Sequence, residues 1–159
     1  MAFPLGNIVK REEPELMFSQ NELLSAVWRQ LNADATLQSS AFLGGTGKIW
    51  TGAKRPNQTD NPLLTVDGNR TLSESTMERW NLVITAYVQD LENGNADLTT
   101  LGNITDRVVD LLHSADMTIN GGRIRSIYFD SSTEAIYDAQ HHKEHRQELI
   151  FRMFAIKTT

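Results

Sequence analysis

Two stretches of the chain repeat apolar residues at the spacing of an α-helix. The first stripe follows Ser19 and consists of Leu23, Leu24, Val27, Trp28 and Leu31. Ser19 and Glu22 have the spacing of a capping box, so this helix is predicted to begin after Ser19 and to end near residues 32–34. A second stripe predicts a helix over residues 98–113, with Leu98, Leu101, Ile104, Val108, Leu111 and Leu112 on its apolar side.

Alternation of apolar and polar positions predicts strands elsewhere in the chain. The clearest strand runs from Trp80 to Val88, where every second residue is apolar, as in a sheet with one packed face. Shorter strands are predicted at residues 48–51, 63–66 and 149–157, and a hairpin at residues 117–130. Asp67-Gly68-Asn69 has the composition of a hairpin turn. Residues 53–62 contain two prolines and several turn formers, which predicts a loop.

The order of the elements is helix, strands, helix and strands again. Because the strands are grouped and do not alternate singly with helices, the predicted class is α+β, a mostly antiparallel β-sheet with two main α-helices packed on one face. Residues 1–15 have mixed charges and no periodicity, which predicts an N-terminal arm that is ordered only by docking. Residues 16–159 are predicted to form a single domain.

Composition narrows the classes of function. The chain has 159 residues, no cysteine and a formal net charge of −5, so disulfides and thiolate metal sites are excluded. The densest positive groups, Lys54-Arg55 and Arg123 with Arg125, are too small to predict a basic face for nucleic acid. The N-terminus lacks a signal-peptide core, and no apolar run approaches the roughly 20 residues that cross a bilayer. We therefore expect no membrane partner.

One segment matches a metal-binding motif. His141-His142-Lys143-Glu144-His145 fits H-x-x-E-H, in which two histidines one helical turn apart bind zinc and the glutamate activates water. Only 14 residues follow, and they alternate like a strand, so a downstream helix carrying a third ligand has no room. The surrounding residues 131–146 are polar. A solvated loop or short helix is the favoured interpretation, and a small zinc-dependent hydrolase is the least favoured alternative.

Other candidate sites have simpler explanations. Residues 44–48 (Gly-Gly-Thr-Gly-Lys) lack the first glycine and the final hydroxyl residue of a phosphate-binding loop, and are interpreted as a turn. His113 is explained as a favourable cation at the end of a helix. Trp28, Trp50 and Trp80 are interpreted as core residues. The sequence thus predicts no catalytic residue, metal site or cofactor, and a protein that is not an enzyme.

The order and spacing of these elements resemble the tail-completion family of long-tailed bacteriophages, which includes the tail terminators. The resemblance covers residues 20–157. It is carried by LLSAVWRQLNAD at residues 23–34, KIWTG at 48–52, NPLLTV at 61–66, RWNLVITAYV at 79–88, the helix at 98–113 and the closing strand at 146–154. The chain departs from the family in its N-terminal arm and in its polar stretch at residues 131–145.

The resemblance implies a structural virion protein that forms a ring, usually a hexamer, at the head-proximal end of the tail tube. Such a ring ends tube polymerisation and joins the tail to the neck. Its implied partners are further copies of the chain, the tail tube protein, a neck or connector protein, and double-stranded DNA that passes through the lumen without specific binding. The implied location is the tail–neck junction of a virion assembled in the host cytoplasm.

Alternatives remain open at this point. The main one is another neck or tail component, such as a head–tail connector or a tail tube subunit. The sequence also does not distinguish a phage from a phage-derived particle, such as a gene-transfer agent or a tailocin.

Within a ring, the arm and the loop at residues 53–61 are predicted to contact neighbouring subunits, because both are long and lack internal structure. Candidate interface residues lie in the arm, in that loop and in the polar stretch: Lys10, Arg11, Lys54, Arg55, Asn57, Tyr137, His141 and His145. The negative net charge also predicts an acidic lumen.

Overall fold

The computed structural model describes residues 18–52, 61–74, 76–137 and 143–157. In these ranges the chain forms two helices and seven strands. They are α1 (Gln20–Asn32), β1 (Ile49–Thr51), β2 (Leu63–Ser73), β3 (Met77–Gln89), α2 (Leu98–Leu112), β4 (Met117–Ile119), β5 (Gly122–Ser132), β6 (Ile136–Tyr137) and β7 (Glu144–Lys157).

The strands form one sheet in the order β1-β2-β3-β7-β5-β4. The long strands β3 and β7 lie at its centre and pair along their whole lengths, from Met77 opposite Ile156 to Gln89 opposite Glu144. Strand β6 pairs with β7 along the same edge as β5, so β5 and β6 are successive segments beside β7. All pairs are antiparallel except β1 with β2. The predicted α+β class with a mostly antiparallel sheet is confirmed.

Both helices pack on one side of the sheet, as predicted, and we call this side the covered face. Helix α1 lies against β1 and β2, whereas α2 lies against β3 and β5. Val27 of α1 and Ile104 of α2 belong to the same buried cluster as Ile84 and Phe151 of the central strands. Complete burial of each such side chain stabilises the fold by about 1.5–3 kcal/mol. Neither of the described helices is long and apolar enough to span a membrane.

The predicted helix starts are confirmed by their caps. The Ser19 hydroxyl accepts a hydrogen bond from the Glu22 N–H at 3.1 Å, and Phe18 is buried just before it. A carboxylate oxygen of Asp97 accepts from the Thr100 N–H at 3.1 Å at the start of α2. Each cap satisfies a backbone donor that has no partner within its helix.

The predicted turn at Asp67-Gly68-Asn69 is wrong, because these residues lie inside β2. The chain turns later, between Ser73 and Met77. A Cβ atom at Gly68 would lie only 2.6 Å from the carbonyl oxygen of Asn81 on β3. Glycine is therefore required by the close approach of two strands.

The prediction of a loop or short helix at residues 131–146 is wrong for residues 131–132, 136–137 and 144–146, which form strands, whereas residues 133–135 form a connection without regular structure. Strand β5 extends through Ser132, β6 follows, and β7 begins at Glu144. Between β5 and β6, the Gln147 side chain donates to the Thr133 carbonyl at 2.9 Å. Polar side chains do not prevent strand formation here, because the backbone pairs with β7.

Two interpretations of single residues change as well. Trp50 is 41% exposed, because on β1 it points away from the covered face, whereas Ile49 points into it. The Nδ1 atom of His113 accepts a hydrogen bond from the Phe129 N–H at 3.1 Å. The imidazole thus joins the end of α2 to β5, a contact that the explanation of His113 from the helix end alone does not include.

Candidate assembly surfaces

The H-x-x-E-H segment does not form a zinc-binding helix in the part that the structure describes. Glu144 and His145 begin strand β7, so their side chains point to opposite faces of the sheet. The Nδ1 atom of His145 forms a short hydrogen bond with the Asp90 carboxylate, whose side chain is almost buried. Among the described residues no three potential metal ligands lie together. His141 and His142 lie outside them.

Of the predicted interface residues, the structure brings Tyr137 and His145 together. They are opposite one another on β6 and β7, with ring centroids 5.4 Å apart in an edge-to-face arrangement. Tyr137 is 52% exposed. Their part in a subunit interface stays a prediction. The remaining candidates lie outside the described residues: Lys10, Arg11, Lys54, Arg55, Asn57 and His141.

The sheet side opposite the helices, which we call the helix-free face, gathers four arginines that are distant in sequence. Arg79 of β3 and Arg125 of β5 are both opposite Phe154 of β7, so they flank its ring. Directly opposed residues share a face, with Cβ atoms about 4.5–5.5 Å apart. Arg152 lies opposite Tyr128, and Arg123 lies opposite Ile156. We call the surface formed by these residues the arginine face: Arg79, Arg123, Arg125, Arg152, Phe154, Tyr128 and Ile156.

A bulge in β5 gives this surface its second aromatic residue, Tyr128, beside Phe154. The register against β7 shifts between Arg125 and Tyr128, where Ser126 has a φ of 58°. The additional residue places Tyr128 on the helix-free face, 47% exposed, and directs Ile127 into the core. The rings of Tyr128 and Phe154 meet edge to face with centroids 6.4 Å apart.

The arginine face has more positive than negative charge. Arg123 pairs with Asp116 at 2.9 Å, and Arg152 lies 3.8 Å from Asp130. Arg79 donates to the Thr71 hydroxyl at 3.1 Å. Arg125 is exposed and forms no ion pair with any described residue. Strand pairing thus brings together arginines that are distant in the sequence.

Negative charge gathers on the other side of the sheet, beside α2. Asp106 and Asp110 are exposed, lie one helical turn apart and line a groove of about 460 Å³ between α2 and strands β5 and β7. Its apolar walls include Val109, Phe129 and Leu149. Within the described ranges, neither aspartate forms an ion pair. We call this surface the acidic groove.

Arg107, which lies between these two aspartates in the sequence, forms an ion pair with Asp34. Arg107 donates to both oxygens of Asp34 at 2.9 and 2.7 Å, which ties α2 to the end of α1. This hydrogen bonding holds the pKa of Asp34 below its usual value, against an opposing effect of burial. The pKa of Arg107 is correspondingly raised by Asp34. Arg107 thus directs its hydrogen bonds to Asp34 and acts on the nearby Asp110 only through its charge.

Comparison with known proteins identifies the fold. No protein-family model matches the sequence, and no curated protein matches it either. The chain is similar to a chain in the virion of a native gene transfer agent particle, with a TM-score of 0.66 and 22% identity over 86% of this chain and 96% of that one. A second solved structure, whose name describes no function, gives a TM-score of 0.54 and 11% identity over 89% and 98%. At these identities the likeness establishes a common fold.

Proposed function

We propose that the protein is a structural subunit of a phage or phage-derived virion, and that it forms a hexameric ring at the head-proximal end of the tail tube. The observation that carries the proposal is the fold shared with almost the whole length of a chain from a gene transfer agent virion. A fold alone does not determine function. The resemblance of the sequence to the tail-completion family supplies the second support.

In this role the ring ends tube polymerisation and joins the tail to the neck. Its partners are other copies of the chain, the tail tube protein and a neck or connector protein, and DNA passes through the lumen without specific binding. The protein acts at the tail–neck junction of a virion that assembles in the host cytoplasm.

A role without catalysis is supported by the contacts of the residues best suited to chemistry. His145 is bound to Asp90, and His113 accepts from the Phe129 N–H. The buried carboxylate of Glu78 accepts from Arg70 at 2.8 Å. These groups hold strands and connections in place.

Electron microscopy of the purified protein tests the proposal directly. Single closed rings are expected, because a terminator stops growth. Long tubes would favour the alternative of a tail tube subunit. A chain that stays strictly monomeric, both alone and with tail tubes, would reject the ring.

The enzyme alternative has its own test. Protein purified without a histidine tag should contain no stoichiometric zinc, and His141→Ala with His145→Ala should leave its metal content unchanged. Bound zinc at one equivalent, lost in this double variant together with a hydrolytic activity, would favour the hydrolase.

The predicted contribution of the arm is tested by deleting residues 1–13. We expect the shortened chain to form fewer rings at equal concentration, measured by analytical ultracentrifugation. Unchanged ring formation would reject a contribution of the arm.

A further inference from the structure

We propose that the arginine face of one subunit docks on the acidic groove of the next copy, and that this contact builds the ring. The inference rests on the proposed ring function and names the surfaces that join its members. The occupant of each surface is a second copy of this chain.

The two surfaces lie on opposite sides of the same strands. On β7, Arg152 and Phe154 point to the helix-free face, whereas Gln147 and Leu149 point into the acidic groove on the covered face. Two different patches on opposite sides produce a head-to-tail contact, which closes into a ring when the rotation between neighbours allows it. A single self-complementary patch would produce a dimer instead.

The charges of the two surfaces are complementary, and several of them have no ion-pair partner within the described part of one subunit. Arg125 has no ion-pair partner there, and Arg152 is 3.8 Å from Asp130, with both side chains about half exposed. Asp106 and Asp110 likewise have no ion-pair partner in the described ranges. Arginine forms bidentate hydrogen bonds with carboxylates, and complementary charges fix the register of an interface.

Apolar contact accompanies the charges on both surfaces. Phe154 and Ile156 are partly exposed between the arginines, and Val109 and Phe129 line the groove. Arginine and tyrosine are the residues that most often dominate binding energy in protein interfaces. A surface for DNA phosphates would gain from the arginines but not from the apolar side chains, so a protein partner is favoured.

Charge reversal tests this pairing. Arg125→Glu and the double variant Asp106→Lys/Asp110→Lys should each reduce ring formation at least tenfold in apparent affinity, because like charges then meet at every contact. An equimolar mixture of the two variants should recover rings. In a ring that alternates the two variants, each contact joins either two unchanged surfaces or two charge-reversed surfaces, so opposite charges meet at every contact. Circular dichroism and thermal unfolding establish that each variant is folded.

Matched controls reverse exposed charges outside both surfaces. Arg29→Glu on α1 and Glu92→Lys after β3 should form rings like the unchanged protein. Rings should also weaken as salt rises from 0.1 to 1 M, because screening reduces the attraction between the two surfaces.

The outcomes separate this inference from the proposed function. If the unchanged chain forms rings and both charge-reversal variants do too, the surface pairing is wrong and the ring function stands. Folded variants that lose rings without recovery on mixing also overturn the pairing. If Arg125→Glu keeps its rings but binds a double-stranded oligonucleotide more weakly, the arginine face serves DNA. Absence of rings in the unchanged chain counts against the proposed function itself.

Discussion

The two faces of the sheet differ although the same strands build both. On β7, Phe151, Met153 and Ala155 are completely buried beneath the helices, whereas Phe154 and Ile156 on the other side keep part of their surface exposed. The covered face supplies the burial on which the stability of the chain depends. The helix-free face combines arginines with aromatic residues, which a lone subunit does not need for folding. The comparison indicates that, in this part of β7, one side of the strand holds the subunit together and the side that carries the arginine face is available for assembly.

The largest expected difference between the faces comes from two phenylalanines on the same strand. Phe151→Ala should lower the free energy of unfolding by about 3–5 kcal/mol, because it leaves a cavity in the core. Phe154→Ala should cost only about 1 kcal/mol and should weaken ring formation. Urea unfolding of both variants measures the first effect and ultracentrifugation the second. Equal losses of stability would contradict the distinction between the faces.

An ion pair on the covered face should contribute more to stability than one on the helix-free face. Arg70→Met leaves the fully buried Glu78 carboxylate without its cation and removes the guanidinium stacked 4.5 Å above the Trp80 ring, so about 3 kcal/mol of stability should be lost. Arg152→Met on the helix-free face should change stability by less than about 1 kcal/mol, because its pair with Asp130 is exposed to solvent. Chemical denaturation of Arg70→Met and Arg152→Met measures the free energy of unfolding that each variant loses. A cost for Arg152→Met as large as that for Arg70→Met would remove the contrast.

Replacing two glycines by alanine should change the stability of the protein in opposite directions. Gly68→Ala places a Cβ against the backbone of β3 and should destabilise the protein by about 1–3 kcal/mol. Gly102 of α2 has open space around its Cβ position, so Gly102→Ala should stabilise by up to about 1 kcal/mol through its helix propensity. Thermal unfolding of both variants measures these changes as a lower unfolding temperature for Gly68→Ala and a higher one for Gly102→Ala. A stabilising Gly68→Ala would show that the strands do not approach so closely.

The smallest expected effect concerns the ion pair that ties the two covering helices together. Arg107 lowers the pKa of Asp34 below its usual 3.8, so the pair stabilises the folded state above about pH 4, and this stabilisation is lost as the pH falls through the lowered value. Asp34→Asn should therefore be less stable than the unchanged protein at pH 7, and the difference should shrink in acid. Glu92→Gln is the control and should show no such convergence. A constant difference between pH 7 and pH 2 would reject this account of Asp34.

Much of the fold could be predicted from the sequence, because helices and central strands have strong periodic patterns. The apolar stripes locate both helices, the cap Ser19 marks the start of α1, and alternation locates β3. The start of β7 could not be predicted in this way. His145 and Gln147 occupy positions on the covered face where the pattern expects apolar residues, and their strand conformation comes from pairing with β3.

The surfaces were harder to predict than the elements. Arg79, Arg125 and Arg152 come from three strands, and only the register places them around Phe154. The acidic groove has a weak signal in sequence, two aspartates four residues apart on the polar side of α2. A predicted pairing of β3, β7 and β5 would have been enough to find the arginine face.

The central claim is that this chain works through its surfaces as one member of a closed ring. Native mass spectrometry of the purified protein at near-physiological salt tests it most directly. The account predicts one discrete species of six copies of the 17.9 kDa chain, with neither a ladder of sizes nor open polymers. A single monomeric species over the whole concentration range, unchanged by added tail tubes, would contradict it.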